Sequence, residues 1–189
     1  MADKERIFIA VRLDDMVQEK LKKAQDLLRD CSLNIKWVEK ENFHITLKFL
    51  GEITNSQLIE VKDRLEKIAQ KLSSFDIIIK ELGAFPNLEH PKIIWSGVKK
   101  NKKKLISLHQ AIEEQMLDLG FGAEKHDYTP HITLGRVRKR EDNYDLVSDK
   151  IKDFPFAINA RQIVDRIAVV KSELTPQGPI YSTVAEFEL

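Results

Sequence analysis

The sequence predicts an α+β protein of two related lobes, each an antiparallel-type sheet with helices packed outside it, around a central cleft. Three observations predict this. Strand-like segments alternate with amphipathic helices along the whole chain. The tetrapeptide His-Ile-Thr-Leu occurs twice, at 44–47 and again at 131–134. No linker or low-complexity stretch divides the 189 residues. We therefore interpret residues 1–189 as a single two-lobed domain.

The segments before the first repeat alternate between strand and helix. The apolar run at 6–13 predicts a buried strand. A helix capped by Asp14 or Asp15 then continues to about Cys31, with apolar residues at helical spacing. The segment 35–38 is short and extended.

The strand that carries the first repeat alternates between apolar and polar residues, and Gly51 ends it. The apolar face comprises Phe43, Ile45, Leu47 and Phe49. The polar face comprises His44, Thr46 and Lys48. A helix capped by Asn55 or Ser56 follows and continues to about Leu72.

The second half repeats this alternation around the second tetrapeptide. Gly120 and Gly122 close its long helix. Pro130 can only begin the second repeat strand or lie on an edge of the sheet. We predict helices at 102–119 and 144–152. We predict strands at 75–82, 93–98, 131–134, 156–163, 166–174 and 181–189.

The two repeats together predict an active site. In a strand, side chains two residues apart lie on the same face, so each repeat presents one imidazole and one hydroxyl together. Two adjacent strands would bring His44, Thr46, His131 and Thr133 to one cleft. An unperturbed imidazole titrates near pH ~6.5, so one histidine can accept a proton while the other donates one. Such a group can bracket a phosphodiester, with the hydroxyls on its free oxygens.

Other catalytic classes fit this sequence less well. Zinc takes three or four ligands, threonine is not among its usual ones, and His90, His109 and His126 are in no comparable pattern. The sequence contains no Gly-x-Ser-x-Gly elbow and no P-loop, and Cys31 has no evident histidine partner. We therefore predict no metal and no cofactor.

Composition and charge indicate the setting. The net charge is +1, the chain has one cysteine, and its start lacks a secretory signal. We expect a cytoplasmic monomer that does not enter membranes. The lysine-rich run at 99–104 is typical of a solvated turn. The basic cluster at 136–140 directly follows the second repeat and suits a phosphorylated substrate.

Taken in order, these segments resemble the two-histidine phosphoesterases, and within them the RNA 2′,3′-cyclic phosphodiesterases related to 2′-5′ RNA ligases. The resemblance covers nearly the whole chain. It rests on Arg-Ile-Phe-Ile-Ala-Val at 6–11, Trp-Val at 37–38, His-Ile-Thr-Leu-Lys-Phe-Leu-Gly-Glu at 44–52, Phe-Pro at 85–86, Ile-Trp-Ser-Gly-Val at 94–98, Thr-Pro-His-Ile-Thr-Leu-Gly-Arg at 129–136, Ser-Glu-Leu at 172–174 and Gly-Pro-Ile-Tyr at 178–181.

The resemblance implies a pseudo-two-fold fold and metal-independent opening of a terminal 2′,3′-cyclic phosphate on RNA to a 2′-phosphate. It assigns His44 as the proton donor to the departing 3′ oxygen and His131 as the base that activates water. Thr46 and Thr133 would hold the phosphate oxygens. The partners would be RNA ends or small cyclic-phosphate nucleotides, and the reverse 2′-5′ ligation is available to the same site.

Some assignments stay open from the sequence. Strict alternation places Arg136 on the apolar face, so contact with phosphate requires a bulge, which Gly135 permits. Tyr181 either stacks on a base or ribose or packs within its strand. Phe43, Phe49 and Trp95 are interpreted as core. The alternative substrates are ADP-ribose cyclic phosphate and 2′-5′ oligonucleotides, and the alternative function is a nucleotide- or RNA-binding module without turnover.

Overall fold

The structure, a computed structural model, describes residues 4–29, 34–138, 144–154, 158–176 and 178–189. Its helices are α1 (Asp15–Arg29), α2 (Asn55–Ala69), α3 (Lys102–Asp118) and α4 (Tyr144–Lys152). Its strands are β1 (Lys4–Arg12), β2 (Ile35–Trp37), β3 (His44–Thr54), β4 (Phe75–Phe85), β5 (Ile93–Lys100), β6 (His131–Val137), β7 (Ala160–Val164), β8 (Arg166–Leu174) and β9 (Pro179–Glu188). The predicted α+β class is confirmed.

The described strands form one antiparallel sheet in the order β7-β4-β5-β6-β3-β1-β8-β9, with β2 paired to β6. One half of the sheet is β3-β1-β8-β9 and the other is β6-β5-β4-β7. The two halves meet at a single register pair, Ile45 opposite Ile132. The two predicted sheets are therefore continuous through the repeat strands, which lie side by side at the centre.

A pseudo-two-fold relation connects the halves. In the first half, the chain runs from β1 through α1 and the short β2 to β3, and β1 pairs with β3; in the second half, it runs from β5 through α3 to β6, and β5 pairs with β6. The helices cross over between the halves. Gln25 of α1 bonds to β6 at the Leu134 carbonyl, whereas His109 of α3 bonds to β3 at the Leu47 carbonyl. Each helix thus supports the repeat strand of the opposite half.

The helices cover the apolar face of the repeat strands. Ile45, Leu47, Ile132 and Leu134 are at most 1% exposed and belong to the main core. Because successive side chains in a strand alternate, burial of Ile45 and Ile132 places their neighbours His44, Thr46, His131 and Thr133 on the opposite face. We call that opposite side of the sheet the motif face.

Several boundaries differ from the predicted ones. The cap of α2 is Thr54, not Asn55 or Ser56; Thr54 forms a capping box with Gln57. Strand β3 does not end at Gly51 but continues to Thr54, because Gly51 sits beside a bulge with φ 75°. Cys31, Phe156 and the last two residues of the basic cluster lie outside the described residues. None of the described helices is both long enough and apolar enough to cross a membrane.

Candidate active site

The pairing of Ile45 with Ile132 sets the geometry of the site. Since β3 and β6 run antiparallel, His44 and Thr133 lie on one side of this pair and Thr46 and His131 on the other. The structure therefore brings together the four residues that the repeats predict. The two imidazoles are close enough for the charge of His131 to influence the titration of His44.

Both histidines are held in the same way by the backbone just before their strands. Nδ1 of His44 donates to the Asn42 carbonyl at 2.7 Å, and Nδ1 of His131 donates to the Thr129 carbonyl at 2.7 Å. A carbonyl can only accept, so each neutral ring carries its proton on Nδ1 and leaves Nε2 as an acceptor. The Thr46 hydroxyl lies 3.0 Å from His44 Nε2 and donates to it in this form.

Burial lowers the pKa of both rings, so both are neutral in the free protein, and the pKa of His44 is lowered further. Burial lowers the pKa of His44 to about 4; the charges of Arg12, His131 and Arg136 lower it as well, and the Asn42 carbonyl acts in the opposite sense. Burial also lowers the pKa of His131, with a further contribution from Arg136. Both imidazoles are therefore ready to accept a proton at neutral pH.

A β-bulge follows each threonine and reverses the pattern of the rest of the strand. In β3 the register passes from Thr46 to Lys48 and leaves Leu47 as the extra residue. In β6 it passes from Thr133 to Gly135 and leaves Leu134 as the extra residue. A bulge shifts the residues after it to the other face. The burial pattern of β3 accordingly matches that of β6 along the whole length of β6.

The bulges decide which face of the sheet Arg136 lies on, and they correct the predicted faces of Lys48 and Phe49 in β3. Arg136 is exposed on the motif face, as the required bulge allows. Its charge lowers the pKa of both motif histidines and opposes the burial that raises the pKa of Tyr181. Lys48, predicted beside His44 on the polar face, is instead 2% exposed behind the sheet. Phe49, predicted as core, is 59% exposed and corresponds in position to Arg136.

Aromatic rings surround His44 on the motif face. The Phe8 ring lies 4.9 Å from the His44 ring, and the Tyr181 ring meets it edge-on at 5.4 Å. Phe8 also contacts Phe49, at 5.8 Å between centroids. The structure therefore places Tyr181 beside a motif histidine, with one side of its ring on Phe8.

A second aromatic group borders His131. The Phe85 ring meets it edge-on at 5.0 Å, and the Trp95 ring lies 6.3 Å away. Trp95 pairs with Thr133 and is only half-buried, so the prediction that it is core is wrong because the residue faces the motif side. A Cβ at Gly83 would lie 2.4 Å from the Trp95 ring, so the indole needs a glycine there. Phe43, by contrast, is fully buried, as predicted.

The remaining histidines lie away from the motif face. His90 and His126 are exposed in loops, and His109 is buried on α3. Within the described ranges, no three side chains of histidine, cysteine, aspartate or glutamate converge as a metal-binding group would.

Sequence reasoning missed Phe8, Phe49, Phe85 and Trp95 as neighbours of the motif histidines. For Phe49, the missing signal was the bulge in β3, which strict alternation does not foresee. Alignment of the two repeats beyond their fourth residue could have supplied part of it. Such an alignment sets Phe49 beside Arg136, so that a surface position for one implies a surface position for the other.

Comparison with known families identifies relatives of the whole fold. The family model "LigT like Phosphoesterase" matches residues 11–95 and 97–181. An RNA 2′,3′-cyclic phosphodiesterase of Methanothermobacter thermautotrophicus is 33% identical over 98% of this chain and 100% of its own length. One of Archaeoglobus fulgidus is 36% identical over 97% of this chain and 99% of its own length.

Solved structures show the same architecture. The protein TT0787 of Thermus thermophilus aligns with a TM-score of 0.82 at 25% identity, over 97% of each chain. The E. coli LigT structure complexed with 3′-AMP aligns with a TM-score of 0.80 at 19% identity, over 98% of each chain. The family resemblance of the ordered motifs is thus confirmed.

Proposed function

The chain belongs to the LigT-like phosphoesterase family, and we propose that it hydrolyses terminal 2′,3′-cyclic phosphates of RNA to 2′-phosphates. Relatives that align over nearly their whole length, and over nearly all of this chain, are named for RNA 2′,3′-cyclic phosphodiesterase activity. The observation that carries the proposal is the pair of motif histidines. Both carry the proton on Nδ1 and offer Nε2, and they lie on either side of the Ile45–Ile132 pair.

In this reaction His131 takes a proton from water at its free Nε2. The water oxygen attacks phosphorus, and the bond from phosphorus to the 3′ oxygen breaks. Protonated His44 gives its Nε2 proton to that departing oxygen, so the product carries a 2′-phosphate and a 3′-hydroxyl. The resemblance supplies the assignment of donor and acceptor. Because the two histidines lie on adjacent strands of one groove, one can take the proton of water while the other donates a proton to the departing oxygen.

The low pKa of free His44 has to rise before this residue can act as an acid. A cyclic phosphate carries one negative charge, which opposes the effect of Arg12 and Arg136 on the ring. A phosphate oxygen beside Nε2 also favours the protonated form, since that form donates there. Substrate binding therefore prepares the acid at the moment when it is needed.

Thr46 changes its hydrogen bond in the same step. In the free protein its hydroxyl donates to His44 Nε2 at 3.0 Å. Once Nε2 carries a proton, the ring can no longer accept, and the Thr46 hydroxyl is released to donate to a phosphate oxygen. Thr133 serves the opposite side of the phosphate, and Arg136 supplies the positive charge that balances it.

The aromatic rings beside His44 provide a place for the terminal nucleoside. Phe49 is exposed beside Phe8, and Tyr181 stands edge-on to the histidine. RNA-binding sites commonly stack unpaired bases on such side chains. We therefore place the base and ribose of the RNA end over Tyr181 and Phe49, with the phosphate toward Arg136.

The site needs no metal in this scheme, since two imidazoles and two hydroxyls supply every proton transfer and oxygen contact. The same groove can join RNA ends when a 5′-hydroxyl replaces water as the nucleophile: a bond from phosphorus to the 5′ oxygen forms, the bond to the 3′ oxygen breaks, and a 2′-5′ linkage results. This ligation is the reverse of opening a 2′-5′ linkage to a cyclic phosphate. ADP-ribose cyclic phosphate and 2′-5′ oligonucleotides present the same phosphate chemistry and are the alternative substrates.

The test is hydrolysis of a short RNA ending in a 2′,3′-cyclic phosphate, in excess EDTA, by the wild type and by the His44→Ala and His131→Ala variants. We expect a 2′-phosphate product from the wild type and a fall in kcat of about 10³-fold or more in each variant. A Leu174→Ala variant, at an exposed position of β8, serves as the control. RNA binding without turnover by the wild type would favour a binding module instead, and loss of turnover in EDTA would contradict metal independence.

A further inference from the structure

Two aromatic side chains behind the first motif, the buried His109 and the half-buried Tyr128, take no part in the reaction described above. His109 on α3 is 7% exposed and donates from Nδ1 to the Leu47 carbonyl at 2.7 Å. The Tyr128 hydroxyl donates to the Thr46 carbonyl at 2.9 Å. The two rings stack with centroids 4.0 Å apart and planes 15° apart. Together they hold two consecutive carbonyls of β3.

These carbonyls belong to the bulge of the first motif. Leu47 is the extra residue, and an extra residue loses its normal ladder partner. A buried carbonyl without a partner is costly, so the bulge needs a donor from outside the sheet. The same bulge sets the twist of the backbone at Thr46, whose hydroxyl lies 3.0 Å from His44 Nε2.

In the second motif, Gln25 and the Val38 amide meet the same need, because the Val38 N–H also donates to the Leu134 carbonyl at 2.9 Å. Gln25 of α1 is fully buried, and its Nε2 donates to the Leu134 carbonyl at 2.9 Å and to the Val38 carbonyl at 2.7 Å. Leu134 is the extra residue of the second bulge. Each bulge is thus held by a buried polar side chain on the helix that crosses behind it.

We propose that His109 and Tyr128 are a positioning pair, which sets the orientation of Thr46 and His44 through the backbone of the bulge. The inference rests on the proposed function for its kinetic test. Catalytic groups must be held to within about 0.5 Å, and a displacement of about 1 Å can lower the rate about 10²-fold. Neither ring touches the substrate; each acts through the carbonyl that it holds.

The kinetic test compares two replacements of the same residue. His109→Leu removes the donor, and we expect kcat to fall about 30- to 100-fold with KM changed by less than about threefold. His109→Gln restores an amide donor of the kind that Gln25 supplies, and we expect kcat within about fivefold of the wild type. Tyr128→Phe keeps the stacked ring but loses the hydroxyl, with an expected fall of about tenfold.

A matched control separates positioning from general loss of stability. Met116 is fully buried on α3, two turns beyond His109. Met116→Ala should lower Tm as His109→Leu does, yet leave kcat of the folded enzyme unchanged. The proposal is overturned if His109→Leu keeps the wild-type kcat, or if Met116→Ala loses as much kcat at an equal loss of Tm.

A second readout does not depend on turnover. Nitrogen NMR titration reports the tautomer and the pKa of each motif histidine. We expect His109→Leu to alter the ring signals of His44 and to leave those of His131, which another helix supports, unchanged. If the wild type hydrolyses no cyclic phosphate, the proposed function fails while this titration still tests the pair. Unchanged His44 signals would overturn the pair even in an active enzyme.

Discussion

The two halves of the motif face share their chemistry and differ in what surrounds it. Both repeats carry a histidine bonded through Nδ1 to a backbone carbonyl, and both are followed by a bulge at leucine. Beyond the bulge, the first half presents Phe49 and the second presents Arg136. In the proposed reaction, proton transfer is therefore duplicated across the groove, whereas the contacts for the rest of the substrate are divided.

The halves differ equally on the buried side. Lys48 reaches Glu113 at 2.6 Å and donates to the Gly122 carbonyl at 2.8 Å. The equivalent position in the second half is Gly135, where a Cβ would come within 2.8 Å of the Trp37 ring. A charged network therefore supports one motif, and close apolar packing against an indole supports the other.

The largest expected effect comes from breaking the charged network. Lys48→Met leaves Glu113, which is 16% exposed, without its cation. Loss of one partner of a buried pair costs about 3–5 kcal/mol, and the partial exposure of Glu113 favours the lower end. We expect the free energy of unfolding in urea to fall by about 3 kcal/mol.

The control for this variant is the double change Lys48→Met with Glu113→Gln. Without a negative charge left behind, most of the lost stability should return. A single variant as stable as the wild type would show that the pair does not support the first motif.

The division of substrate contacts predicts the next largest effect. Arg136→Ala removes the positive charge for the phosphate, and we expect kcat/KM to fall about 10²-fold. Phe49→Ala, at the equivalent position, removes only a stacking surface worth about 1–2 kcal/mol and should raise KM about tenfold with little change in kcat.

Steady-state kinetics on a cyclic-phosphate dinucleotide would measure both effects. Arg136→Lys is the matched variant, because it keeps the charge but not the forked geometry. Equal losses of kcat/KM in Phe49→Ala and Arg136→Ala would contradict a division of labour between the halves.

The sequence was sufficient for the class of the fold and for the prediction that the four motif residues lie together on one face, because both repeats have the same spacing. His44, Thr46, His131 and Thr133 needed only the period of a strand and the assumption that the repeats are neighbours. The structure shows that the repeat strands are neighbours, through the single register pair at Ile45.

The sequence was insufficient where the backbone departs from a period of two. A bulge at Leu47 moves Lys48 to the buried side of the sheet and Phe49 to the exposed side, and neither residue type indicates this change. Buried partners were equally hidden. His109 lies 62 positions from Leu47, and nothing in the local pattern of α3 distinguishes a histidine that bonds to a bulge from one that packs.

The two motif histidines also differ in how strongly each links stability to acid. The pKa of His44 is about 4 in the folded protein, below the ~6.5 of an unfolded chain. Between these values the unfolded state binds the proton more tightly, so stability is present above pH ~6.5 and is lost as the pH falls toward 4. The pKa of His131 is lowered in the same direction, and burial is again the main cause.

Urea unfolding at pH 7 and pH 5 would measure this difference between the halves. From about pH 7 to about pH 5, His44 should cost the wild type about 2 kcal/mol that the His44→Asn variant does not lose. His131→Asn should reduce the loss of stability between pH 7 and pH 5 by less, since the pKa of His44 is the one lowered to about 4. Carboxylates titrate in all three proteins, so only the difference between them reports on the histidines. Equal relief by both variants would mean that the two rings are equally buried in solution, and the halves would then be alike in their electrostatics as well as in their chemistry.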